Sequence, residues 1–336
     1  MNIIKRYRSK IFIPVILCMA LYSSCTEGVY FNVTEPAYVT IPNGVKRVGI
    51  VNRSIISDSN NVRRSIDNII SEKSPLLDKE CSMNCISGLK AALIQSNIFP
   101  KVESFDSLHL INSHPNAFPA PLPWTEIEKI CSNNKVDVLF SLELFHTDTK
   151  VNVVGSAMTL LNAGPDALAG SGTEGTIVKT GWRIYYPQSR SILDEYTLGN
   201  NVTSSLMNHK ETIRNTSYDM GQTYASRVIP TIVSVWRDFY IRGNRNFKIA
   251  RRMADAGDWN SAAKIWQNEI NNPKRKLCAR AYYDLAINQE INGNLDSAIS
   301  FAQKSYEIGG RQLALDYLNM LQNRVAGNQI LNSQAH

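Results

Sequence analysis

The sequence predicts an α/β domain, a small mixed sheet with helices, followed by an all-α region of tetratricopeptide-like helical repeats. Three observations lead there. Short apolar runs alternate with helix-periodic stretches up to about residue 200, the pattern of strands wrapped by helices. "AGDWNSAAKIW" and "NGNLDSAISFA" are related copies 36 residues apart, and self-similarity at that period marks stacked helix pairs. The first 25 residues have the composition of an export leader, so the folded chain begins behind them.

In that leader Lys5, Arg6, Arg8 and Lys10 precede an apolar core, Ile11 to Leu21. The core falls short of the roughly 20 apolar residues that span a bilayer. Ser23 and Ser24 then stand directly before Cys25. This arrangement resembles a bacterial lipoprotein box, which implies cleavage after residue 24, diacylation of Cys25 and a membrane anchor, since two acyl chains hold where one does not. Thr26 and Glu27 follow the cysteine rather than an aspartate, which on the lipoprotein resemblance implies the outer membrane and its periplasmic face.

Removing the leader takes away four basic residues and no acid, so the net charge of +7 falls to +3. No nucleic-acid partner follows from so small an excess. Residues 25–44 are expected to be a tether, irregular over Thr26–Pro42, and residues 45–207 the α/β domain. Within it, Val48, Ile50 and Val51 mark a strand; Val62, Ile66, Ile69 and Ile70 a helix; Leu77 to Asn97 a second helix; and "FPKVESF" a strand. Cys81, Cys85, Leu89 and Leu93 share one stripe of that second helix and read as core, with a bridge from Cys81 or Cys85 to Cys131 as the alternative.

His109 to Pro123 reads as a loop. Thr125 and Glu128 have capping-box spacing, and Val136–Phe145 ("VDVLFSLELF") reads as a central strand covered on both faces. Thr176–Tyr186, Pro187-Gln188-Ser189 and "SILDEYTL" form a hairpin pattern. Residues 208–242 are expected to be a long helical connector broken at Pro230. Residues 243–326 are expected to be the repeats with a capping helix, Gln312–Arg324, and residues 327–336 a polar tail.

The order of "RVGIVN", "CISGLKAALIQSNIFPKV", "NNKVDVLFSLEL" and the hairpin with "GWRIYYP" resembles the N-terminal α/β domain of TolB-type envelope lipoproteins and of curli-export lipoproteins of the CsgG type. With the leader, "VWRDFYIRGN" and the repeat tail, nearly the whole chain resembles a family of uncharacterised envelope lipoproteins of diderm bacteria. The resemblance implies a role in envelope assembly and brings no catalytic residue.

"AGSGTEGTIV" holds Gly170, Gly172 and Gly175 in dinucleotide-fingerprint spacing. A working fingerprint follows a strand and opens a helix, whereas here a β-branched, aromatic run follows. No nucleotide, cofactor or metal site is expected. His109, His114, His146, His209 and His336 include no i,i+4 pair, and Asp194 and Glu195 alternate across a strand. His146 and Asp148 stand where the apolar run ends and read as a loop cap. A non-catalytic interaction protein is therefore the expectation, with a protein or peptide held in the groove of the repeats. Asn244, Phe247, Arg251, Arg280, Tyr283, Ile287 and Glu290 are the candidate groove residues; packing against the α/β domain is the alternative role for them. The alternative function is a subunit of an outer-membrane export or pore assembly.

Overall fold

The computed structural model describes residues 25–55, 75–105, 110, 118–153, 172–205 and 208–334. The leader, the helix expected over residues 62–70, and Gly170, His109, His114 and His336 lie outside the described residues. The chain divides into two compact units, one of residues up to Glu35 with Ile232–Gln329, the other of Pro36–Thr231 with the residues from Ile330 on.

The α/β unit is built on a five-stranded mixed sheet. Strands β2 (Arg47–Asn52), β3 (Lys101–Phe105) and β4 (Val138–Val153) run parallel, in the order β3-β2-β4. Strands β5 (Gly172–Tyr186) and β6 (Ser191–Ser205) extend the sheet as an antiparallel hairpin beyond β4. Pro187–Ser189 forms one 3-10 turn, and Arg190 in the left-handed region closes it (φ 49°).

Helices α1 (Pro75–Gln95) and α3 (His209–Ala225) cover one face, where Val48, Ile50, Phe140 and Trp182 of the sheet meet Cys85, Leu89 and Leu93 of α1 and Ile213, Met220 and Tyr224 of α3. The Trp182 and Tyr224 rings stack at 4.9 Å. Helix α2 (Trp124–Asn134) covers the other face through Ile127, Ile130 and Cys131 against Val51, Leu139 and Tyr185. The central strand is thus apolar on both sides because both sides are covered.

Helices α1 and α3 touch backbone to backbone. A Cβ on Gly88 would stand 2.0 Å from the Tyr218 carbonyl oxygen, and one on Gly221 would stand 1.9 Å from that of Cys85. Only glycine at both positions allows this approach.

Four expectations are corrected here. Thr125 and Glu128 do not form a capping box: α2 starts two residues earlier than that box requires, Pro123 is its N-cap and no side chain caps it. Glu128 instead accepts from Arg190 Nε at 2.7 Å. His146 and Asp148 do not end a strand, because β4 continues to Val153 and pairs them with Lys179 and Ile177 of β5. Residues 208–242 are not one helical connector: α3 ends at Ala225, and β7 (Thr231–Tyr240) follows Pro230. The tether is also structured, since β1 (Thr26–Glu35) pairs with β7 in a two-stranded sheet. Its "VYFNV" run is strand-forming once a partner strand is supplied.

The other unit is helical apart from that ribbon. It contains α4 (Arg245–Asp255), α5 (Trp259–Glu269), α6 (Arg275–Ile291), α7 (Leu295–Gly309) and α8 (Gln312–Gln334) up to Gln329, the last running through the stretch expected to be a tail. The 36-residue repeat is visible in the backbone. Gly257 and Gly293 take φ of 82° and 78° in the turns, and Asp258 and Asn294 share φ −87°, ψ 70° as N-caps. Ala262 and Ala298 are both fully buried where the paired helices cross.

Cys81 and Cys85 lie in the core on the α1 side of the sheet and Cys131 in the core on the α2 side, so the sheet separates the candidate bridge partners. The four buried cysteines, Cys81, Cys85, Cys131 and Cys278, are free thiols. Burial pushes the Cys81 and Cys131 thiols up to about 11, so neither presents a thiolate at neutral pH. In denatured, unreduced protein Cys81, Cys85, Cys131 and Cys278 should therefore all react with a disulfide-exchange reagent, while in the native protein these four react only as it opens. Reaction of only two of these four would demonstrate a bridge.

Candidate functional site

Of the groove residues expected from the repeats, Asn244, Phe247 and Arg251 belong to α4 and its cap, while Arg280, Tyr283, Ile287 and Glu290 share the inner face of α6, and that face is already filled. A chain turn follows β7 into α4, with Asn244 capping α4 by accepting from the Phe247 amide at 3.2 Å and donating to Glu269 at 2.8 Å. Phe247, Tyr283, Ile287 and Glu290 are buried. What covers them is strand β7 and the other helices of the same unit.

Glu290 is the centre of this packing. Arg237 of β7 donates to both its carboxylate oxygens at 2.8 Å, Tyr317 of α8 donates at 2.8 Å, and Arg324 of α8 completes the set. One turn and a half earlier on α6, Asp284 accepts from the Tyr240 amide at 2.7 Å. The Tyr240 ring packs on Tyr283 at 5.3 Å, and the Arg280 guanidinium lies over it at 4.7 Å while donating to the Arg242 carbonyl. The i, i+3, i+4, i+7 side of α6 is therefore a socket for the chain's own strand. Phe247, Arg280, Tyr283, Ile287 and Glu290 are therefore corrected from docking residues to packing residues; of the candidates, only Asn244 and Arg251 are not buried, and Arg251 is paired to Glu27 at 2.7 Å and Asp255 at 3.4 Å.

Asp284 is fully buried, and its second oxygen has no hydrogen-bond partner. Burial holds its pKa well above the usual carboxylate value, against the Tyr240 amide and Arg280, which lower it. The folded chain thus keeps a proton that the unfolded chain releases above about pH 4, so this group's contribution to stability falls as pH rises through that value. Asp284→Asn keeps an acceptor for Tyr240 and needs no proton. It should match or exceed the wild type in stability at pH 7 and flatten the pH dependence; a loss of more than about 2 kcal/mol in urea unfolding would show a charged aspartate instead.

A second buried cluster stands just past the carboxyl end of β2, where Arg53 follows Asn52 and reaches Glu143 of the neighbouring β4. Open α/β sheets place sites at this position. Glu143, at a bulge in β4, is fully buried. Tyr185 donates to one of its oxygens at 2.8 Å and Arg53 to the other at 2.8 Å, with Arg183 at 3.8 Å. Burial and Glu143 push the Tyr185 phenol up to about 12, so it remains a donor. The same groups hold the segment before α2, Arg53 through the Ala120 carbonyl at 2.8 Å and Tyr185 through the Leu122 amide at 3.1 Å. Both carboxylate oxygens are engaged in pinning this segment to the sheet. The sequence signal was a single charge inside "VDVLFSLELF", which a doubly covered strand tolerates only when paired.

The glycine-rich segment enters β5: Gly172 and Gly175 pair with Val153 and Lys150. A strand, with no helix N-terminus, follows them, and this geometry does not build a phosphate cradle. Asp194 and Glu195 face opposite sides of β6. Asp194 accepts from Arg227 at 2.9 Å and Tyr224 at 3.0 Å, Glu195 from Arg183 at 2.6 Å.

A family model described as a domain of unknown function (DUF8603) matches residues 45–240, and a second, also a domain of unknown function (DUF6340), matches residues 248–323. No curated protein matches the chain. Among solved structures, the PelC dodecamer from Paraburkholderia phytofirmans is similar at 11% identity and a TM-score of 0.29, covering 60% of this chain and 96% of that one. A putative neuraminyllactose-binding hemagglutinin homolog from Helicobacter pylori is similar at 10% identity and a TM-score of 0.26, covering 57% and 90%. Likenesses this distant carry no argument about fold or activity.

Proposed function

The chain belongs to the DUF8603 family, and from its geometry we propose that it is a lipid-anchored, periplasm-facing, non-catalytic interaction protein of the bacterial envelope. The observation that carries this reading is the position of Cys25. Its carbonyl accepts from the Ile241 amide at 3.1 Å, and β1 begins at the next residue. Acyl chains on Cys25 would thus hold the helical unit at the membrane surface with no slack between them.

The socket on α6 being filled, the partner's surface moves to the outer face of the β1–β7 ribbon. There Tyr30 (68% exposed), Ile232 (73%) and Trp236 (46%) stand clear, the first and last in edge contact at 4.5 Å. Exposed aromatic side chains of this kind are common anchors at protein interfaces. Cys25→Ala should release the protein from the membrane fraction without changing its melting temperature, and wild-type protein should carry a diacyl mass on its first peptide. Retention in the pellet with an unmodified Cys25 would remove the anchor from the reading.

A further inference from the structure

Beside the Cys25–Ile241 bond, the helical unit opens a cleft of about 490 Å³ lined by Ile241, Ile249 and Asp255 and by five cationic side chains of one short stretch, Arg242, Arg245, Lys248, Arg251 and Arg252. The stretch reads "IRGNRNFKIARRMAD". Turn geometry and the helical repeat bring its charges together: Arg245, Lys248 and Arg252 stand three and four apart on α4, and Arg242 precedes the helix. Arg251 is neutralised by Glu27 and Asp255. Among the described residues the ion pairs of this unit leave Arg242, Arg245, Lys248 and Arg252 without a carboxylate, and all four are exposed. Four like charges around one concavity repel each other and raise the local concentration of anions.

We propose that this cleft binds the phosphate groups of anionic lipids, seating the helical unit on the membrane beside its own N-terminus. Guanidinium forks recognise the several oxygens of a phosphate in pairs. A free phosphate ester offers the same chemistry, and position decides between the sources. Ile241 is both a wall of the cleft and the residue that holds Cys25, so the cationic groups lie at the root of the anchor, where a basic cluster meets headgroups. The choice of lipid as the source rests on the acylation of Cys25 argued above; the anion-binding chemistry of the cleft does not.

The test uses the full chain carrying Cys25→Ala, whose binding owes nothing to acyl chains. Its partition onto phosphatidylcholine vesicles is compared with that onto vesicles containing phosphatidylglycerol, beside a variant with Arg245→Gln, Lys248→Gln and Arg252→Gln. The three side chains are exposed, and an unchanged melting temperature verifies the fold. The anionic vesicles should be preferred, the preference should collapse at high salt, and the triple variant should bind them about a hundredfold more weakly. Equal binding of both proteins to anionic vesicles overturns the proposal. So does saturable binding of glycerol phosphate in solution with no preference for anionic vesicles, which would make the ligand a soluble ester. An unacylated Cys25 in the wild-type protein would overturn the anchor while leaving the vesicle result to decide the cleft on its own.

Discussion

Gly221→Ala is expected to destabilise the α/β unit by about 3 kcal/mol, which for a unit of this size lowers its melting temperature by roughly 6–12 °C. The new methyl would fall 1.9 Å from the Cys85 carbonyl oxygen and 2.7 Å from the Leu89 amide nitrogen. Those are backbone atoms, so no side-chain rotation relieves the clash and the two helices must separate. Separation opens the core that Cys85 and Leu89 share with Met220 and Tyr224. Gly88→Ala meets the Tyr218 carbonyl in the same way, and the double variant should cost less than the sum, because one separation serves both. Gly199→Ala is the control: a Cβ there meets nothing within 4 Å. Thermal unfolding followed by circular dichroism measures all four variants. A loss below about 1 kcal/mol at Gly221 would mean that the helices do not touch.

Glu290→Ala is expected to cost the helical unit about 3–5 kcal/mol, the range for removing one partner of a buried ion pair. Arg237, Arg324 and Tyr317 all donate to this carboxylate. Its loss leaves two guanidinium groups in a dry site and unpins β7 from α6. Glu290→Gln, which keeps the shape and one acceptor, should cost less than alanine. The measurement separates the two roles considered for this residue. A docking glutamate would lose a partner on substitution while the urea midpoint stayed fixed; a packing glutamate moves the midpoint.

The sequence was informative where one period ran uninterrupted. "VDVLFSLELF" could be placed in the centre of the sheet because a continuous apolar run is buried on both sides, and "GWRIYYP" could be placed in a hairpin by its turn. Gly257 and Gly293 fixed the repeat by a shift of 36, and their matching positive φ values show that the signal was conformational. The strands β1 and β7 were hidden for a physical reason. They pair across about 200 residues, and neither has the apolar alternation of a strand with one dry face, since the ribbon has Ile232 and Trp236 outward and Arg237 inward.

That same strand defeated the reading of the groove. Arg280, Tyr283 and Glu290 do line the inner face of α6, as helical spacing requires; nothing in their spacing reveals that residues 231–240 fill it. A buried charge such as Glu290 or Asp284 could have raised the question, because a carboxylate inside a helix stack needs a named partner. The cationic stretch from Arg242 to Arg252 was in plain view, but its convergence on one concavity depends on the turn into α4, which spacing alone does not give.

Whether the chain occupies its own repeat socket is tested most directly by hydrogen exchange on the amides of residues 231–240 in the purified protein with no partner present. Tyr240, whose amide is held by Asp284 at 2.7 Å, should exchange only with the opening that also releases the amides of α6, and Glu290→Ala should speed both together. Exchange of Tyr240 at the rate of an unstructured peptide while α6 stays protected would mean that the socket is empty in solution and open to another chain.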